Sequence, residues 1–437
     1  MCPSSLVSAV GFQTIPATHR IELCMKSIAA LNRGNKFPRM ELRANGRQGM
    51  PHLFSGLIAS GVVAAGLFGL GMVAVHLEHA TILSTSPEQF PLKKQGLAFQ
   101  RAAARAPRVL PLYGSSELIV PPVPERASIF FRTAPTGFQV SPVGAGGASS
   151  LSMLQRIGAL GSDFRGKKLV ISLSPGWFFK TRWEGYNGSF SLMAASEMAF
   201  GTALDFELKR DIASRMLMFP TTLENRPFLE FMLKRLASGR LLDRVVFCAL
   251  WPLGKVQTTI LELQDHFAAF HYIRHKIKPA SQCYLEPPDW PKLIGSVSGT
   301  ETADGENVTK ASSGHQETTL GRRDAEFRKD MNASLGWTDL ELLLRTLTSV
   351  HAHPLLLSMP IDGDFYDHEE VSRSARETYY TRLRALVQRY HFALVEFEGH
   401  DEDPAFLYRH QSHLTAKGWI YYNRALDDFF HGRVPRR

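Results

Sequence analysis

Two adjacent hydroxyls, Ser115 and Ser116, follow an apolar run in LPLYGSSELIV (residues 110–120), with Gly114 before them and Glu117 behind. A serine delivered by a strand onto a glycine turn can act as a nucleophile once a base removes its proton and positioned donors receive the oxyanion. His413 is the candidate base. It stands just ahead of LTAKGWIYYNRALDDFF, where Thr415 suits a helix cap and Ile420, Leu426, Phe429 and Phe430 recur at amphipathic spacing. Donors are offered by the turn SPVGAGGASSLSML, in which Gly144, Gly146 and Gly147 precede a helical pattern and can aim backbone N–H groups at an anion. Ser174 and Trp177, then Asp362 and Asp364, follow two further apolar runs, and GHDEDPAFLYRHQSHLTAKGW brings carboxylates and histidines after another. The four cysteines, Cys2, Cys24, Cys248 and Cys283, form no CxxC pair and have no histidines at zinc spacing, so neither a metal nor a cofactor is expected.

These residues need strands that end at a common edge. Apolar runs at 105–114, 167–179, 244–253, 353–365 and 391–399 read as strands, with Cys248 a buried thiol within the third. Helical patterns cover 150–160, 190–215, 226–238, 257–277, 337–350, 371–390 and 415–431. Such alternation implies an α/β fold with parallel strands, whose ligand site lies off their carboxyl ends. The stretch 295–326 is Gly, Ser, Thr and charge with almost no apolar residue, and reads as a flexible surface insertion. No internal repeat is apparent.

The chain of 437 residues is 44% hydrophobic and carries a formal net charge of +9. The excess is spread along the chain, without a basic block or interleaved aromatics, so an anionic polymer suits it better than nucleic acid. Leu53 to Val75 contains no ionisable residue, and about 20 such residues span a bilayer core as a helix. Upstream, Arg20, Lys26, Arg33, Lys36, Arg39, Arg43 and Arg47 outnumber Glu22 and Glu41, which keeps that side in the cytoplasm. The expected organisation is therefore a basic cytoplasmic tail (1–52), a single-pass anchor in the cytoplasmic membrane (53–75), a linker (76–104) and a periplasmic or extracellular domain (105–433).

Taken in order, GSSEL, GAGGASSL, SPGWF, MPIDGDFYD with its Tyr-rich helix, and HLTAKGW resemble the DltD family of envelope D-alanyl transfer proteins, membrane-anchored members of the SGNH (GDSL-like) hydrolase superfamily. The resemblance runs from about residue 105 to 430. It implies a three-layer α/β/α domain with a Ser-His site. Together with a membrane-bound O-acyltransferase and an acyl carrier or donor, such a domain O-acylates an anionic polymer or polysaccharide of the envelope. Ser116 matches the nucleophile, with Ser115 where the superfamily usually has Asp, and His413 matches the histidine. The N–H groups of Ser116 and of Gly146 or Gly147 fall to the oxyanion, and Ser174, Trp177 and Asp362 to the substrate, Trp177 where the family keeps an aromatic wall. The chain departs from the pattern in three places. His410 stands where the family has the Asp that orients the histidine. Asp362 replaces an Asn, and Phe365 a Trp. Either Asp401, Asp403 or Glu402 curls in to supply the missing carboxylate, or the site works as a Ser-His dyad. The alternative function is a non-catalytic scaffold that binds a polysaccharide or an O-acyltransferase partner.

Overall fold

The computed structural model of the protein describes residues 50–120, 123–133, 135–180, 185–277, 286–298, 320–408 and 413–433. β1 (Val109–Gly114), β2 (Gln139–Gly144), β3 (Lys168–Leu173), β4 (His353–Ser358) and β5 (Ala393–Glu396) form a parallel sheet in the order β2-β1-β3-β4-β5. Described helices of eight residues or more are α1 (Met50–Thr85), α2 (Ala98–Arg105), α3 (Ser150–Leu160), α4 (Leu192–Phe200), α5 (Phe206–Met216), α6 (Pro227–Ser238), α7 (Leu241–Lys276), α8 (Trp290–Ser298), α9 (Asp324–Ala333), α10 (Gly336–Ser349), α11 (Arg373–Arg389) and α12 (Ala416–Phe430).

Successive strand side chains enter opposite layers, because a strand alternates its side chains between two faces. Tyr113, Leu169, Ile171 and Leu356 join the core with α3, α4, α5, α6, α10 and α11; Leu112, Val170, Leu355 and Leu357 join a second core with Phe131, Phe138 and α12. Both faces of the sheet are thus covered, as parallel sheets require. The first core is tied internally by a buried bidentate pair between α5 and α10, Arg215 Nε and Nη2 donating to Asp339 at 2.7 and 3.1 Å.

Four of the five expected strands form, and the fifth does not. Residues 244–253 lie inside α7, where Phe247 is buried and Cys248 is exposed, so the expected buried thiol stands at the surface. The fifth strand is instead β2, an edge strand whose Gln139, Ser141 and Pro142 break the apolar run. The single helix expected over 190–215 divides into α4 and α5, with Asp205 capping the latter by accepting from the Leu208 N–H at 2.7 Å.

The chain divides after Ala65 into two units. In the first, the described residues are the opening turns of α1, exposed at Leu53, Phe54, Leu57, Ile58, Val62 and Val63. Among the described residues, one helix is long and apolar enough to cross a membrane, over Leu53–Thr85. α1 runs ten residues past the expected anchor. The stretch expected as a linker is helical and packed, with Leu97, Phe99 and Ala102 buried. Residues 1–49 of the expected basic tail (1–52) lie outside the described residues and its last three open α1; 299–319 of the expected insertion also lies outside them, and the flanks of that insertion are ordered as the end of α8 and the start of α9.

Candidate active site

β1 ends on Gly114, and Ser116 opens a 3₁₀ turn (Ser116–Leu118) immediately beyond it. Two glycines make this turn possible. A Cβ on Gly114 would fall on the Glu117 carboxylate, and one on Gly144, the in-register partner across to β2, would approach the Ser115 carbonyl to 2.7 Å. The register also sets the turn after β2, with Gly146 and Gly147, beside the serine turn at the same edge. Gly147 adopts φ +76°, which a side chain would resist, and Gly146 is exposed.

His413 reaches this edge from the other end of the chain. Its Nε2 lies 2.9 Å from the Ser116 Oγ, a hydrogen bond between residues 297 apart in sequence. The segment that carries it is pinned at its base: Leu407 and Leu414 form an antiparallel bridge, and the Tyr408 N–H donates to the His413 carbonyl at 2.7 Å. The Thr415 hydroxyl donates to the Ala405 carbonyl at 2.6 Å and accepts from the Gly418 N–H, capping α12. Burial holds the His413 imidazole below its ordinary pKa, which favours the neutral form that accepts a proton.

Glu117 is buried directly behind the serine. Its Oε1 accepts from the Ser115 N–H at 2.7 Å, which favours the carboxylate, but burial outweighs this and pushes the carboxyl up to about 7. From the sequence this glutamate is only the residue after two serines. Its burial is set by tertiary packing at the strand edge, and no local pattern signals it.

With the geometry of this edge established, comparison with known proteins is decisive. Residues 87–431 match the family described as DltD protein. The chain belongs to the DltD family. Protein DltD of Bacillus subtilis (strain 168) is 28% identical over 393 residues, covering 86% of this chain and 94% of that protein. Protein DltD of Staphylococcus aureus (strain NCTC 8325 / PS 47) is 23% identical over 335 residues, covering 75% of this chain and 82% of that one.

The remaining residues of the DltD-type pattern are distributed unevenly. Ser174 follows β3 and is buried; its carbonyl accepts from the Trp177 N–H at 3.2 Å. Trp177 is buried as well, packed in the larger core, and its carbonyl blocks any side chain at Gly336. Asp362 caps the short helix Gly363–His368, accepting from the Phe365 N–H at 3.0 Å. Asp401 accepts from the Tyr380 hydroxyl at 2.6 Å and the Ile361 N–H at 2.9 Å, which ties the loop after β5 to the loop after β4; burial pushes its carboxyl up to about 7. Asp403 pairs with Lys417 at 2.8 Å and with His400 at 3.3 Å. These bonds engage both aspartates in loop packing. His410, where the resemblance leads to an expected aspartate, lies outside the described residues.

Proposed function

We propose that the protein is a membrane-anchored extracytoplasmic acyl transferase or esterase, acting through Ser116 and His413 in D-alanyl-type O-acylation of an envelope polymer. The observation that carries this reading is the 2.9 Å approach of His413 Nε2 to the Ser116 Oγ at the carboxyl edge of the sheet. Membership of the DltD family supports the polymer as acceptor, with a membrane-bound O-acyltransferase and an acyl donor as partners.

The geometry suits a double displacement. Ser116 Oγ attacks the acyl carbonyl carbon while its proton passes to His413 Nε2, and the carbonyl oxygen becomes an oxyanion that the N–H groups of Ser116 and of Gly146 or Gly147 would receive. Collapse breaks the bond to the donor, whose leaving oxygen or sulfur takes the proton from His413. A polymer hydroxyl then attacks the acyl-serine, His413 removes its proton, and return of that proton to Ser116 Oγ releases the acylated polymer. Water in place of the polymer gives hydrolysis. With Asp401 and Asp403 held in loop contacts and Glu402 paired with Arg376 at 2.9 Å, the site would work as a Ser-His dyad, with His413 held by the Leu407–Leu414 bridge and by the bond from the Tyr408 N–H to its carbonyl.

A fluorophosphonate probe is expected to label Ser116 in the intact protein, and Ser116→Ala and His413→Ala each to abolish labelling. Asp401→Ala and Asp403→Ala in folded protein are expected to keep it. Folded wild-type protein that resists the probe would overturn the reading in favour of a scaffold.

A further inference from the structure

α7 buries one face against the body and exposes an apolar face opposite it. Phe247, Gly254, Thr258, Asp265 and Ala269 are buried against the body, and a Cβ on Gly254 would strike the Phe200 ring. Asp265 Oδ2 caps α2 by accepting from the Leu97 and Ala98 N–H groups, each at 2.7 Å. This clamps the inner face. On the outer face Leu242, Val245, Leu253, Val256, Ile260 and Phe267 recur at helical spacing, with Leu242 80% and Phe267 49% exposed. No ionisable residue falls within that stripe, whose 25 residues of rise extend about 37 Å. A stripe of this size and uniformity is not left to water in a soluble protein.

The position of α7 says what covers it. α1 leaves its ionisable-free stretch at Val75, and one turn later Glu78 Oε1 meets the Nδ1 of His266 on α7 at 2.7 Å, both side chains buried. Phe68 and Met72, on the apolar stretch just before, are exposed. His266 adjoins Phe267, the last residue of the stripe. The lipid that receives α1 is thus brought to the end of the stripe by the contact that holds the two helices together.

We infer that the outer face of α7 lies in the same lipid surface into which α1 inserts, so that the domain rests on the bilayer along a second apolar element. The inference depends on α1 being a membrane anchor. Lipid contact along α7 removes a rotational freedom that a single helix leaves open, and fixes how the Ser116 edge faces the membrane.

The test uses the full chain in phosphatidylglycerol–phosphatidylethanolamine vesicles, with Cys2, Cys24 and Cys283 replaced by serine. An environment-sensitive fluorophore is placed in turn at Val256→Cys, at Ile260→Cys, at native Cys248 and, for the anchor, at Met72→Cys; in the three variants with an introduced cysteine, Cys248 is also serine. The expected result at 256 and 260 is a blue-shifted emission, quenched by brominated acyl chains and protected from aqueous iodide. Loss to iodide without loss to brominated lipid at these positions would overturn the inference. Protection that appears only when a membrane-bound acyltransferase is added to the vesicles would overturn it in favour of a protein partner. Lipid quenching at Met72 with none on α7 sinks the second contact and spares the anchor, whereas absence of quenching at both sites sinks the anchor too. Should the substituted variants not fold, Cys248, exposed on the same helix, is expected to show an intermediate shift in otherwise unaltered α7.

Discussion

A histidine that takes a proton from serine must itself be neutral, and burial lowers the His413 pKa below its ordinary 6.5. The kcat/KM profile for ester hydrolysis is therefore expected to rise with pH along a single acid limb whose midpoint lies below 6.5, and to be flat at neutrality. A midpoint above 7 would mean a carboxylate partner raises His413 after all. Glu117 makes the opposite kind of contribution. Its folded pKa of about 7 lies above its ordinary 4.5, so between these values the native state binds more protons than the unfolded one, and stability falls as pH rises through that window. At about 1.4 kcal/mol per pH unit the loss reaches about 3 kcal/mol above pH 7. Glu117→Gln keeps an acceptor for the Ser115 N–H but has no charge to bury. Thermal denaturation from pH 5 to pH 8 is expected to lower Tm more in the wild type than in the variant; parallel curves would show that Glu117 is not the group responsible.

Between elements, the pair that joins α5 to α10 is vulnerable to a single substitution, because Arg215→Ala leaves Asp339 buried without its cation. A loss of about 3–5 kcal/mol in urea unfolding is expected, with probe labelling of Ser116 unchanged in the protein that remains folded. The elements themselves were legible in the sequence where burial is simple. β1, β3, β4 and β5 are apolar runs closed by Gly, Pro or polar turns, and α3, α6, α10, α11 and α12 fall within a few residues of their apolar periods. Ser116 and His413, the two residues singled out as nucleophile and base, do meet. Two runs misled for opposite reasons. QVSPVG conceals a strand, since an edge position tolerates Pro142 and polar residues that a central strand would not. RVVFCALWPL imitates one, since a helix apolar on its outer face as well as its inner face loses the 3.6-residue period that distinguishes it. The roles of Asp401 and Asp403 were illegible for a third reason: partners such as Tyr380, Ile361 and Lys417 are set by tertiary approach and by no local pattern.

For the molecule as a whole, the junction between α1 and the body rests on buried polar contacts. Glu78→Ala would remove the Nδ1 partner of His266 in a buried site, at a cost of about 1–3 kcal/mol. The variant is expected to be cut faster by limited proteolysis between Thr85 and Ala98 while still labelling at Ser116; unchanged cleavage would show that apolar packing around Ile82 alone holds the junction. The 297 residues between the serine and the histidine also have a consequence in time. Closing so long a loop is entropically costly and is repaid only by the finished sheet, so the pair cannot form early. During synthesis the serine emerges with the first strand and its base among the last residues. On the proposed reading, the hydroxyl of the nascent chain would stay inert until α12 docks and brings His413 to it.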